Sequence, residues 1–214
     1  MHTGIIWIRN ALRLNDNRVL VESLNSTNSQ NILPMYILDK SDLRQKNNDN
    51  RIKFLYESLI DLDSKFKAKL GTNLVILNGS SEDIFDKLLS SDLLNISEIF
   101  TDYSNKPDDV KNENSLKRIL AKNTSVKLHL ISKVNSLTNI EEIVNQESFK
   151  PPKTMKDMEK LFSNIYPKDE DGFYSIDEPL DIPESSKPVA KNYPKVVENY
   201  IFDIEKELSI LKKD

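Results

Sequence analysis

Residues 9–17, RNALRLNDN, set two arginines, three asparagines and one aspartate directly after the apolar run GIIWI. Such a cluster can do one of two things. In an open α/β sheet, ligands sit outside the carboxyl ends of the strands, near the point where strand order reverses. Arg9 and Asn10 fall at such an end, and Arg13, Asn15, Asp16 and Asn17 follow in the loop entering the next helix, so the cluster is placed for a binding site. Alternatively, Arg13 pairs with Asp16 to hold the loop, while Asn15 or Asp16 caps the helix that carries Val19, Leu20 and Leu24. Short polar side chains readily satisfy backbone groups in this way.

Other chemistry is thinly supplied. The glycines at 4, 71, 79 and 172 form neither G-x-G-x-x-G nor G-x-x-x-x-G-K-[ST], which excludes a standard dinucleotide turn and a P-loop. The chain has no cysteine, which removes disulfides, thiol nucleophiles and cysteine-ligated metals, and only His2 and His129 could offer imidazole. There is no G-x-S-x-G elbow, and His129 reads as a satisfied core residue in mid-strand rather than a hydrolytic base. Asp61 with Asp63, and Asp108 with Asp109, read as solvated faces or a helix N-terminus, and Trp7 as core.

A chain of 214 residues suits one domain with an appendage or two small domains. No apolar run approaches the roughly 18 to 20 residues that span a bilayer, and no signal-peptide pattern opens the chain, so the expected location is nucleus or cytoplasm. Residues 151–214 carry 10 Lys and Arg against 14 Asp and Glu, leaving 20 of each in residues 1–150. Neither part is a basic surface, which argues against strong autonomous DNA binding.

The elements that position the cluster follow from the hydrophobic pattern. Short apolar runs at 4–9, 32–38, 73–78, 97–101 and 126–131 alternate with amphipathic stretches, which predicts a doubly wound, five-stranded parallel sheet of Rossmann-like α/β class over residues 1–132. Leu55, Leu59, Leu62 and Phe66 form one helical stripe ended by Gly71. A second helix starts near Ser81 as cap, and a third at Pro107 with Leu116, Ile119 and Leu120 on its apolar face. Residues 133–194 read as a partly helical linker, with short helices over 137–147 and 150–165 before an acidic, proline-punctuated stretch. Residues 195–214 read as a C-terminal helix with Val197, Ile201, Ile204, Leu208 and Leu211 at helical spacing.

Four blocks in order resemble the N-terminal half of the photolyase/cryptochrome family. WIRNALRLNDNRVL at 7–20 is similar to its W-F-R-x-x-L-R-L-x-D-N-P-A-L signature, and LPMYILD at 33–39 to its P-V-Y-I-L-D strand. RIKFLYESLIDLDSKFKAKLGTNLVILNGSSEDIF at 51–85 resembles R-x-x-F-L-x-x-S-L-x-D-L-D and the strand after it. PPKTMKDMEKL at 151–161 resembles the P-P-x-T-Y-K segment of animal cryptochromes and (6-4) photolyases, which favours that branch.

By this resemblance Arg9, Arg13, Asp16 and Asn17 are mainly scaffold that stabilises the contact between the α/β domain and the rest of the protein. The crevice beside them receives an antenna chromophore (deazaflavin, flavin or folate) in many members, which here would lie near Arg9, Asn10, Tyr36, Asp39 and Asp102. The family repairs ultraviolet lesions by electron transfer from reduced FAD, as deoxyribodipyrimidine or (6-4) photolyase, or uses the same pocket for blue-light sensing. That FAD lies in a large helical domain which the resemblance places beyond the matched part. The expectation is therefore a photolyase/cryptochrome-like α/β domain that is not catalytic alone and that depends on a separately encoded FAD domain. The alternatives are an interaction module for clock or signalling proteins, or a fragment of a full-length FAD-dependent member. The chain departs from the family pattern at Arg18, Ile52, Ser104, Lys106, Asn112, Glu113 and Met155.

Overall fold

The computed structural model describes residues 1–39, 49–122, 125–135, 143–166, 168–173, 178–184 and 187–211. Five strands, β1 (Thr3–Ile8), β2 (Asn31–Leu38), β3 (Val75–Asn78), β4 (Ile96–Asp102) and β5 (Lys127–Ile131), form one sheet in the order β3-β2-β1-β4-β5. Every neighbouring pair is parallel. The chain winds outward from β1 through β2 to β3 and then returns to the other side of β1 for β4 and β5. The reversal opens the sheet's carboxyl end between β1 and β4.

Successive side chains of a strand point to opposite faces, so β1 feeds two cores. Ile6 and Ile8 pack with Leu20 of α1 (Arg18–Asn25) and with Leu59, Leu62 and Phe66 of α2 (Asp49–Leu70). Ile5 and Trp7 pack with Ile84, Phe85 and Leu88 of α3 (Ser81–Leu89) and with Leu116 and Ile119 of α4 (Pro107–Leu120). Trp7 meets Phe85 edge-on at 4.9 Å between ring centroids. Each fully buried aliphatic or aromatic side chain of this kind is worth about 1.5–3 kcal/mol. Gly71 ends α2 at φ 60, the left-handed conformation that a C′ residue needs.

Three local expectations are corrected. The cap of α1 is Asn17, whose side chain accepts from Val19 N, because Asp16 sits at φ 50 and turns the chain so that Asn17 is the extended residue at the helix entrance. The cap of α3 is Ser80, whose extended backbone aims its Oγ at Asp83 N, while Ser81 lies inside the first turn. His129 is half-buried on β5 rather than sealed in the core; it stacks on Phe100 at 4.5 Å and holds Glu98 through Nε2 at 3.0 Å.

The segments after β5 are woven into the sheet. Ile32 and Val189 form a parallel bridge, with Ile32 N donating to Pro188 O and Ala190 N to Ile32 O, both at 3.0 Å. This covers the half of β2 that β3 is too short to reach, since β3 pairs only with Met35 to Leu38. The expected single helix over 195–214 is instead broken into α6 (Tyr193–Val197), a 3₁₀ turn (Glu198–Tyr200) and α7 (Ile204–Leu211). The break has a physical reason. Ile201 bridges Leu77 antiparallel and Phe202 N donates to Ile76 O at 2.9 Å, so the open edge of β3 takes the backbone groups that a continuous helix would have used. Helix α7 then docks on α2 with Ile204 and Leu208 buried.

Ahead of these tethers in the chain, α5 (Met155–Ile165) carries a full capping box from Thr154 and Asp157 and buries none of its residues. The short helix expected over 137–147 lies largely outside the described residues.

Candidate functional site

The crevice over the carboxyl ends of β1, β2 and β4 has a volume of about 210 Å³. Four of the five residues expected there, Arg9, Asn10, Tyr36 and Asp39, line it, beside Trp7, Lys106, Asp108, Asp109 and Asn112. The fifth, Asp102, is buried behind the lining at the end of β4.

Asp102 organises the floor. Arg9 Nε lies 3.2 Å from Asp102 Oδ1, and Arg9 Nη2 donates to the carbonyl of the same residue. The guanidinium also lies 4.9 Å from the centroid of the Trp7 ring, a cation–π distance. Asn10 Nδ2 donates to Asp102 Oδ2 and to Asp109 Oδ2, both at 2.9 Å, and Asn135 Nδ2 supplies Asp102 Oδ2 with another bond at 2.9 Å. Lys106 Nζ donates to Asn10 Oδ1 and Ser104 Oγ to Asp109 Oδ2. One donor is left over: Arg9 Nη1 is buried and has no hydrogen-bond partner among the described residues.

The remaining members of the 9–17 cluster face away from the crevice. Arg13 Nη2 donates to Val134 O at 2.6 Å and to Asp16 O at 3.0 Å. Asp16 exchanges two bonds with Leu180, its N donating to Leu180 O at 3.2 Å and its Oδ1 accepting from Leu180 N at 3.1 Å. Asn17 Nδ2 closes the loop on Arg13 O. Arg13, Asp16 and Asn17 thus tie the β1–α1 loop to the segment after β5.

Of the residues missed as lining, Lys106, Asp108, Asp109 and Asn112 follow β4, Ser81 follows β3, and Trp7, read as core, lies in β1 itself. The rule that picked out the loop after β1 applies equally to the strand on the other side of the reversal, and Pro107 marks where α4 begins.

This lining does not fit a dinucleotide such as FAD. Pockets that bury a drug-sized ligand run to roughly 300–1,000 Å³, above the volume found here. Phosphate binding also uses bare N–H groups at a helix N-terminus, whereas the first turn of α4 presents Asp108 and Asp109. No group of three or more His, Cys, Asp or Glu able to hold a metal occurs among the described residues, and no helix there is long and apolar enough to cross a membrane.

A five-stranded, all-parallel, doubly wound sheet with a polar crevice at its reversal defines a Rossmann-like α/β domain. The chain belongs to the DNA photolyase family, whose model matches residues 4–172. It is 29% identical over 166 residues to cryptochrome-1 of Spalax judaei, covering 77% of this chain and 27% of that protein. Cryptochrome-1 of Erithacus rubecula is 28% identical over 165 residues, covering 77% and 26%. Among solved structures, a cryptochrome from Synechocystis sp. PCC6803 superposes with a TM-score of 0.71 at 20% identity over 89% of this chain and 38% of that one. An archaeal photolyase from Sulfolobus tokodaii, described with two FAD molecules that imply a novel light-harvesting cofactor, superposes with a TM-score of 0.68 at 17% identity over 99% of this chain and 42% of that one. The chain spans about a quarter of the length of these curated relatives, 27% and 26%.

Proposed function

We propose that this chain supplies the α/β domain of a photolyase/cryptochrome-type photoprotein, and that light-driven chemistry requires a FAD-bearing helical domain acting with it. The carrying observation is the family match over residues 4–172, combined with a crevice that does not fit FAD itself. In this reading the crevice is an accessory-chromophore site, and Arg13, Asp16 and Asn17 hold the loop that links the sheet to the following segment. The test is reconstitution: the purified chain is mixed with a photolyase helical domain and assayed for light-dependent repair of ultraviolet-damaged DNA. Repair by the mixture and not by the chain alone supports the reading; no association with the helical domain rejects it.

A second reading, an interaction module for clock or signalling proteins, is favoured by α5. Its Met155 and Met158 are exposed beside partly buried Leu161 and Phe162, and Phe173 is exposed nearby in sequence. Pulldown with the M155E/M158E double variant tests it: loss of capture from a folded protein supports a docking role for α5.

A further inference from the structure

We infer that the outer edge of β5 is a self-association surface, on which a second copy of this chain lays its own β5 antiparallel about a two-fold axis at His129. The chain treats the two edges of its sheet differently. On one side, Ile201 and Phe202 return to pair with β3, and Pro188 and Ala190 pair with Ile32 of β2. On the other, β5 pairs with β4 alone, and among the described residues none bonds to its outer edge. A bare edge of this kind is a template for another strand.

The ladder to β4 fixes which backbone groups face out. Ile131 stands opposite Asp102 and its carbonyl accepts from Tyr103 N at 2.8 Å, so the odd-numbered residues Lys127, His129 and Ile131 turn their N–H and C=O groups to β4. Those of Leu128 and Leu130 therefore point away from the sheet. Backbone pairing alone accepts any strand; the sequence is what favours a second copy. Leu128-His129-Leu130 reads the same in both directions. Antiparallel pairing about His129 thus sets Leu128 against Leu130 of the second copy and Leu130 against its Leu128, each pair exchanging both N–H···O bonds on one isologous patch. All three side chains are only half-buried within their own copy, and His129 is already anchored there by Glu98 and Phe100. Lys127 falls opposite Ile131 of the second copy, roughly 14 Å along the strand from the other Lys127, where salt screens their repulsion. A ladder this short makes a small interface, so the dimer is a weak one, of roughly micromolar affinity or poorer.

Sedimentation velocity on the full chain from about 5 to 500 μM should show a monomer–dimer equilibrium. Leu130→Pro removes an outward N–H and none that β4 uses, so it should keep the circular dichroism spectrum and weaken the dimer by about tenfold or more. The chain has no cysteine, so single cysteines report the register. His129→Cys places its Cβ opposite its own copy in the closer, non-hydrogen-bonded position and should give a disulfide-linked dimer under mild oxidation, whereas Lys127→Cys should not. This comparison decides the register whether or not the proline variant folds. A monomer at every concentration, a dimer that a folded Leu130→Pro leaves unchanged, or cross-linking of Lys127→Cys as readily as His129→Cys overturns the inference.

Discussion

Arg9 and Asp102 meet across the reversal of the sheet with Nε 3.2 Å from Oδ1, their side chains only 6% and 3% exposed. The pair joins the end of β1 to the end of β4, the two strands between which the crevice opens.

Removing one member of such a pair strands the other charge. Asp102→Ala should lower unfolding stability by about 3–5 kcal/mol in urea titration. Asp61→Ala, which breaks an exposed i,i+4 pair with Lys65, should change it by less than about 0.5 kcal/mol. Equal losses in the two variants would contradict a structural role for the buried pair.

Acid should act through Glu98. Burial pushes its pKa up, but hydrogen bonds from Ser26, Asn28 and His129, with the charge of His129, outweigh burial and hold it below the ordinary 4.5. A carboxyl whose folded pKa lies below its unfolded value adds stability above the unfolded value and loses it as pH falls through the folded one. Thermal melts should therefore lose nothing to Glu98 at neutral pH and fall below 4.5, and Glu98→Gln should make that acid limb shallower. Parallel acid limbs for both proteins would exclude Glu98 as the source.

Gly79, just past β3, is a packing requirement. A Cβ there would lie 2.8 Å from Tyr200 Cδ1, so Gly79→Ala must displace the Tyr200 ring from the sheet. A loss of about 1–3 kcal/mol is expected, with faster proteolysis near 193–203 as the local readout.

The docked tail contributes to the core. Leu208→Ala should cost about 2–5 kcal/mol, because Leu208 is 7% exposed in the cluster that contains Leu59 and Phe66. Lys187 Nζ donates to Ser23 O at 3.0 Å and also to Ser26 O, at the carbonyl end of α1. Lys187→Met should cost about 1–2 kcal/mol and release residues 187–190 to hydrogen exchange.

The sheet was legible in the sequence because each strand is a short apolar run and Leu55, Leu59, Leu62 and Phe66 keep a strict helical stripe. The crevice was legible where a strand end carried conspicuous chemistry, as at Arg9, Asn10 and Asp39, but not after β4, where Lys106 and Asn112 look like ordinary surface. The tail misled for a different reason. Val197, Ile201, Ile204 and Leu208 suit one helix locally, and only the unpaired edge of β3, a tertiary fact, explains why Ile201 and Phe202 leave it. Val197, Ile204 and Leu208 are consequently core residues rather than a free surface.

The bond from Phe202 to Ile76 also sets a timetable. The outer edge of β3 leaves the ribosome long before the residues that cover it, and at about 5–20 residues per second the wait is roughly 6 to 25 s. During that interval the nascent chain exposes a bare strand edge and the uncovered apolar face of α2. Synthesis of this small domain should therefore depend on chaperone capacity, and slowing translation between codons 80 and 200, which lengthens that interval, should lower the soluble yield.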